Sequence, residues 1–263
     1  MDFPSFKFID REFVSDFDIR ISNLVLKMVH PRYASTVVLV RPDDNGTFEV
    51  LLTRRPAEMR FLGGFYVFPG GTVHRDDYSP QMLARCCGLT GGQARKILGG
   101  VHEPDVALGH WVAVLRELFE EVGILLCVTE SGGNVQMTDI AAAKRIELKR
   151  RSIVNKQLNF ASFLESENLI CDLSRAVYFD HWVTPDIYSM RFDTRFYVAT
   201  LPSHQTALDR SEEVTDSLWI RPEDAMMRID RHDFPILPPT TTVLQNLALL
   251  GSWDRLSAQF QML

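Results

Sequence analysis

The chain has 263 residues, 46% hydrophobic and 24% charged, enough to bury a sizeable core without disulfides or structural metals. Its 34 acidic side chains outnumber 28 basic ones, for a net charge of −6, which excludes broad electrostatic binding along a nucleic-acid backbone. The opening MDFPSFKFIDREF lacks the apolar run of a signal peptide, and no stretch approaches the ~18 apolar residues of a membrane span. Cytoplasm is therefore the expected location, with no membrane partner.

The Phe-rich first segment, with Phe3, Phe6, Phe8, Phe13 and Phe17, is expected to pack on the domain or in a homodimer contact. Ala34–Pro42 reads as a buried strand, Asp43–Gly46 as a turn and Phe48–Pro56 as the returning strand of a hairpin. Gly63–Gly71 reads as a short strand running into a tight loop at Pro69-Gly70-Gly71. From His74 to Pro104 the pattern is irregular, with a short helix expected at Met82–Cys87. Ala107–Val122 is a strong helix, because Val112, Leu115, Leu118, Phe119 and Val122 recur at three- and four-residue spacing and Gly123 suits its end. A strand is expected at Ile124–Thr129, then a charged helical stretch over Met137–Glu167. Strands follow at Arg175–Pro185, Phe192–Pro202 and Val214–Ile220, then helices at Arg221–Ile229 and Pro238–Leu250. Strands spread along the chain around one long helix predict a single α/β domain, 1–263. Its expected architecture is an α/β/α sandwich on a mixed sheet, with a helical lobe from segments 74–110 and 135–170.

The long helix carries Glu117, Glu120 and Glu121 close to its C-terminal, negative end. Carboxylates at three- and four-residue spacing repel, and the macrodipole disfavours them there. A divalent cation with oxygen ligands, Mg²⁺ or Mn²⁺, would remove both penalties. Taken alone, the triplet reads first as a solvated acidic face, since such triplets are common on surfaces.

Its surroundings resemble the Nudix hydrolase family, whose box is G-x5-E-x7-R-E-U-x-E-E-x-G-U with U apolar. Arg116, Glu117, Leu118, Glu120, Glu121, Gly123 and Ile124 match its second half. Its first half starts at Gly71 and reaches Asp77, an acid where the family has Glu. The 38 residues Tyr78–Leu115 then separate the two halves. The resemblance implies a Nudix fold and Glu117, Glu120 and Glu121 as metal ligands. Arg116 would orient the glutamates, and Gly70 and Gly71 would let the loop approach the helix.

Leu51–Gly71 is also similar to the signature of the coenzyme A diphosphatase branch, L-L-T-x-T-[SA]-x3-R-x3-G-x3-F-P-G-G. Leu51, Leu52, Thr53, Arg60, Gly64 and Phe68–Gly71 are in register, and Arg55 and Pro56 depart from it. The interrupted box is similar to that of the peroxisomal mammalian-type enzymes. The implied substrate is a nucleoside diphosphate derivative, with coenzyme A or acyl-CoA favoured over NADH, ADP-ribose or a nucleotide sugar. The products would be 3′,5′-ADP and 4′-phosphopantetheine. Arg60, Arg54 and Arg55 are phosphate-binding candidates, with Arg191 and Arg195 behind them. Arg195 reads equally as a structural partner of Asp193. The reaction would be metal-assisted hydrolysis in which a water attacks phosphorus and a carboxylate takes its proton: Glu120, or a late acid, Glu213 being slightly favoured over Glu212. His74 follows the Gly-Gly loop and could approach the metal, although a loop-surface role is favoured; His102, His110 and His181 lack ligand spacing. The run Lys144–Arg151 reads as a solvated helix face, and the cysteines Cys86, Cys87, Cys127 and Cys171 as reduced thiols.

Overall fold

The computed structural model describes residues 29–59, 62–135 and 139–261. The Phe-rich segment and Arg60 lie outside the described residues. The strands in chain order are β1 (Arg32–Pro42), β2 (Phe48–Arg54), β3 (Tyr66–Val67), β4 (Gly70–Thr72), β5 (Cys86–Cys87), β6 (Cys127–Thr129), β7 (Leu169–Asp172), β8 (Val177–Val183), β9 (Phe192–Thr200) and β10 (Asp216–Ile220). The helices are α1 (Pro80–Leu83), α2 (Gly91–Ile97), α3 (Pro104–Val122), α4 (Ile140–Val154), α5 (Phe160–Ser166), α6 (Pro222–Asp230), α7 (Pro238–Leu250) and α8 (Trp253–Phe260).

The main sheet runs β10-β2-β1-β9-β8, with β3 against β2 and β4 against β1. It is mixed: β1 is parallel to β9 from Arg32 to Val40 and antiparallel to β2 and β4. Because β1 is covered on both faces, it reads as a continuous apolar run. Its alternate residues enter different cores. Val37 and Leu39 join the cluster built on α3, whereas Val38 and Val40 join the cluster built on α7 and α8. These are the layers of an α/β/α sandwich.

The β1–β2 hairpin forms because Asp43 accepts from the Asn45 and Thr47 amides at 2.8 and 2.9 Å, and Gly46 takes the left-handed conformation. α3 begins with Pro104 at its first turn and ends at Gly123, whose φ of 76° closes the helix. Most of α3 is buried because both of its sides are covered. The sheet lies on one side; α2, α4 and α5 supply the other, with Phe119 stacked on Phe163 at 4.8 Å.

Several expectations need correction. The outer lobe is not wholly helical, since β5-β7-β6 form a separate three-stranded sheet within it. The helix expected at Met82–Cys87 ends at Leu83, and Cys86 and Cys87 pair with Cys171 and Asp172 in β7. Ladder pairing there overrides local preference. The helical stretch 137–167 is two helices, broken between Val154 and Phe160, where Lys156 has φ 58°. The strand expected at Ile124–Thr129 begins only at Cys127, because the Gln205 side-chain amide takes both main-chain bonds of Leu125 at 2.8 Å. α3 begins at Pro104, three residues before the expected Ala107. The closing helix α8 was not expected.

Candidate active site

The site forms where the last turns of α3 meet the Gly70-Gly71 turn. β4 pairs with β1 at Ala34–Thr36, which brings this turn against the helix. A Cβ on Gly70 would lie 2.5 Å from the Ser35 carbonyl oxygen and 2.7 Å from Thr36 Cα. One on Gly71 would overlap the Glu117 carboxylate. Gly70 requires glycine for its close approach to main chain, whereas a side chain at Gly71 would displace the Glu117 carboxylate.

Arg116 is the hub. Its Nε and Nη2 donate to the two Asp77 carboxylate oxygens at 2.7 and 3.0 Å, a bidentate pair. Nη1 donates to Glu117 at 2.8 Å and to Glu120 at 3.4 Å, and Nη2 also donates to the Thr72 carbonyl at 3.0 Å. Asp77 is 2% exposed, and its carboxylate also accepts from the His74 amide at 2.8 Å, capping the 3-10 turn Arg75–Tyr78. Although 38 residues separate them in the chain, Asp77 and Arg116 meet. Asp77 holds the arginine and does not join the glutamates.

Burial pushes the Glu120 carboxyl up to about 7, with Arg116 opposing and Glu117 and Glu213 reinforcing. Burial raises Glu121 well above the carboxylate range. Glu117 and Glu213 add to this, while Arg55 and a main-chain hydrogen bond from Gly70 oppose it. Glu213 is exposed on the loop beside the cluster. The protein packed around its carboxyl, followed by the Glu117 charge, raises it too. One oxygen of Glu121, Oε2, is buried without a hydrogen-bond partner.

These features fit a bound hard cation. An unpartnered buried carboxylate oxygen is costly, and an excess of oxygen donors is the ligand chemistry of Mg²⁺ or Mn²⁺. Glu117 and Glu120 are turned towards Arg116, and among the described residues no group of three or more His, Cys, Asp or Glu is arranged as a ready-made metal site.

The arginine candidates separate. Arg55 faces the cluster: its charge acts on Glu121 and Glu213, and its buried Nε has no partner. Arg54 donates to the Gly64 carbonyl at 3.1 Å and lies over the Tyr66 ring, bracing the loop between β2 and β3. Arg191 is occupied by the Thr184 and Val29 carbonyls and by Asp186. Arg195 pairs with Asp193 and reaches His102 at 3.4 Å, so the structural alternative is the one realised. His74 is on the loop surface against Thr72.

Arg150 was read as part of a solvated face, yet it is 1% exposed and reaches the α3 terminus. Ile146, Arg150 and Ile153 share the buried stripe of α4, and that spacing was the available signal.

The family model described as NUDT19 Nudix domain matches residues 93–247, more than half of the chain. The chain belongs to the NUDT19 Nudix domain family. It is 25% identical over 235 residues to the acyl-coenzyme A diphosphatase NUDT19 of Xenopus laevis, covering 78% of this chain and 61% of that protein. It is 27% identical over 243 residues to the Gallus gallus protein of the same name, covering 80% and 63%. The chain thus spans about three-fifths of the length of these curated relatives. The crystal structure of a Nudix hydrolase from Alicyclobacillus acidocaldarius is similar with a TM-score of 0.69 and 28% identity, over 86% of this chain and 95% of that one. The Nudix fold expected from the interrupted box is the fold observed.

Proposed function

We propose that the chain is a Mg²⁺- or Mn²⁺-dependent diphosphatase that cleaves the pyrophosphate bond of coenzyme A or acyl-CoA, giving 3′,5′-ADP and (acyl-)4′-phosphopantetheine. The observation that carries this reading is the buried, under-compensated carboxylate cluster of Glu117, Glu120 and Glu121 against the Gly70-Gly71 turn. The names of the two vertebrate relatives and the partial Leu51–Gly71 signature support the choice of substrate.

Glu117, Glu120 and Glu121 would hold the cation, which when bound offsets charge on the pyrophosphate and lowers the pKa of the attacking water. The chain supplies the rest. Asp77 fixes the Arg116 guanidinium in plane, and Arg116 in turn fixes the Glu117 and Glu120 carboxylates. Gly70 and Gly71 bring main chain next to the reacting groups without side-chain bulk. Arg55 places positive charge beside the cluster for a phosphate oxygen. Arg60 is the further phosphate candidate, on the resemblance alone. A carboxylate oxygen of Glu213 or of Glu120 accepts the proton of the water that attacks phosphorus.

A second reading keeps the chemistry and changes the substrate. Arg55 stands where the coenzyme A signature has Thr, and its unpartnered Nε suits another nucleoside diphosphate derivative equally well. Hydrolysis of CoA, acetyl-CoA, ADP-ribose, NADH and dinucleoside polyphosphates with Mg²⁺ or Mn²⁺ separates the two. The first reading expects the highest kcat/KM on CoA or acetyl-CoA; a clear preference for any of the others selects the second.

A further inference from the structure

Arg150 joins two parts of the site, the end of α3 and the loop that carries Glu212 and Glu213. Its Nη1 donates to the Glu120 main-chain carbonyl at 2.5 Å, and Nη2 donates to Glu212 Oε2 at 3.0 Å. Nε and Nη2 also donate to Glu147 of α4 at 2.8 and 3.0 Å, which fixes the plane of the guanidinium.

Both outer contacts matter to the site. The last carbonyls of a helix have no intrahelical partners, and a cation there is favoured. At the end of α3, Gly123 satisfies Phe119, Leu208 satisfies Val122, and Arg150 satisfies Glu120. The other contact grips the residue next to Glu213. The loop carrying Glu212 and Glu213 is tied at its ends, by Leu208 to Val122 and by Thr215 to Arg54. Between those ends, the Glu212 carboxylate is held from α4 by Arg150, with Arg151 at 3.8 Å.

We propose that Arg150 is a positioning residue of the hydrolytic site, fastening the Glu212–Glu213 loop to the end of the glutamate helix. The inference rests on the reading that Glu213 takes part in hydrolysis. One rigid guanidinium spans from the main chain of a metal-ligand candidate to the residue beside a base candidate. Loss of that span lets the Glu213 carboxylate drift from the cluster while the cluster itself stays. A buried ion pair is weak evidence for stability, whereas a planar fork shared between two elements fixes geometry.

The test measures kcat, KM and melting temperature with Mn²⁺ and coenzyme A, or ADP-ribose if coenzyme A is not turned over, for wild type, Glu213→Gln, Glu212→Gln, Arg150→Gln and the double variant Arg150→Gln/Glu212→Gln. Glu212 is partly exposed, so its variant folds even if Arg150→Gln does not. The expected result is a kcat loss of about ten- to a hundredfold for Glu212→Gln and for Arg150→Gln, with KM within about threefold of wild type. The double variant should fall no further than the worse single variant. Glu212→Gln should keep the wild-type melting temperature, which separates positioning from unfolding. Wild-type kcat in Glu212→Gln beside an impaired Glu213→Gln overturns the Arg150 role alone, as do losses that multiply in the double variant. Full activity in Glu213→Gln removes the Glu213 reading and this inference with it.

Discussion

Two arginines, Arg116 on α3 and Arg195 on β9, organise polar clusters of opposite character. Arg116 gathers Asp77, Glu117 and Glu120, with Glu121 and Glu213 close by and Arg55 as the other cation. Arg195 pairs with Asp193, which also accepts from or pairs with His181 at 2.7 Å, while His102 and His110 lie alongside. Burial, then His102 and Arg195, push His110 down to about 3, so it is neutral. The second cluster is close to charge balance and the first is not. Each cluster holds an unpartnered buried atom, Glu121 Oε2 in the first and His110 Nε2 in the second, but only the first carries an excess of charge. The excess of carboxylate around Arg116 is the charge that the proposed cation would offset.

The largest effect that could break this contrast is on activity. Glu121→Gln keeps the shape and removes the charge, and is expected to lower kcat/KM by about a thousandfold, ~4 kcal/mol of transition-state stabilisation. Its melting temperature without metal should equal or exceed that of wild type, because a buried ionisable group without a full set of partners is gone. Substantial residual hydrolysis would mean that Glu121 holds nothing essential.

Next come the two hubs themselves. Asp77→Ala leaves Arg116 without its bidentate partner and is expected to cost about 3–5 kcal/mol of stability, together with most of the activity. Asp193→Ala strands Arg195 in the same way and should cost stability on a similar scale, yet leave kcat within about threefold of wild type. Chemical denaturation and steady-state rates measured on the same preparations check both. If Asp193→Ala is as inactive as Asp77→Ala, the two clusters do not differ as described.

A smaller effect concerns pH. With chelator present, the folded pKa of Glu120, about 7, lies above its ordinary value of 4.5. A raised folded pKa contributes stability that is complete below about 4.5 and is lost as pH rises through about 7; Glu121 acts in the same direction. His110 has the opposite sign. Its lowered pKa contributes stability above 6.5 that is lost as pH falls towards about 3. Metal-free melting temperatures are therefore expected to fall from about pH 5 to about pH 7.5, and Mn²⁺ to raise them most at the upper end. An equal Mn²⁺ shift at both ends would separate the carboxylates from the metal.

The sequence carried the Arg116 cluster further than the lobe around it. The arrangement of Arg116, Glu117, Glu120, Glu121 and Gly123 is local, since helical spacing brings those side chains together. The family pattern put Asp77 at the acid position of the box, but its pairing with Arg116 was not read from the sequence, because the intervening residues hide it from any local rule. β5, β7 and the start of β6 were misread because strands this short draw their stability from cross-strand partners distant in the chain. α8 was overlooked although Ser252 caps it and Leu256 and Phe260 recur at helical spacing. Arg150 was misread as solvated because a basic run looks the same from sequence whether or not one member turns inward.

The most direct measurement of the central claim needs no substrate. Titration of Mn²⁺ into the metal-free protein near pH 7.5, followed by calorimetry, is expected to show binding that weakens at least about tenfold in Glu121→Gln, ~1.4 kcal/mol, and is unchanged in Asp193→Ala. Equal Mn²⁺ affinity in wild type and Glu121→Gln would contradict the account.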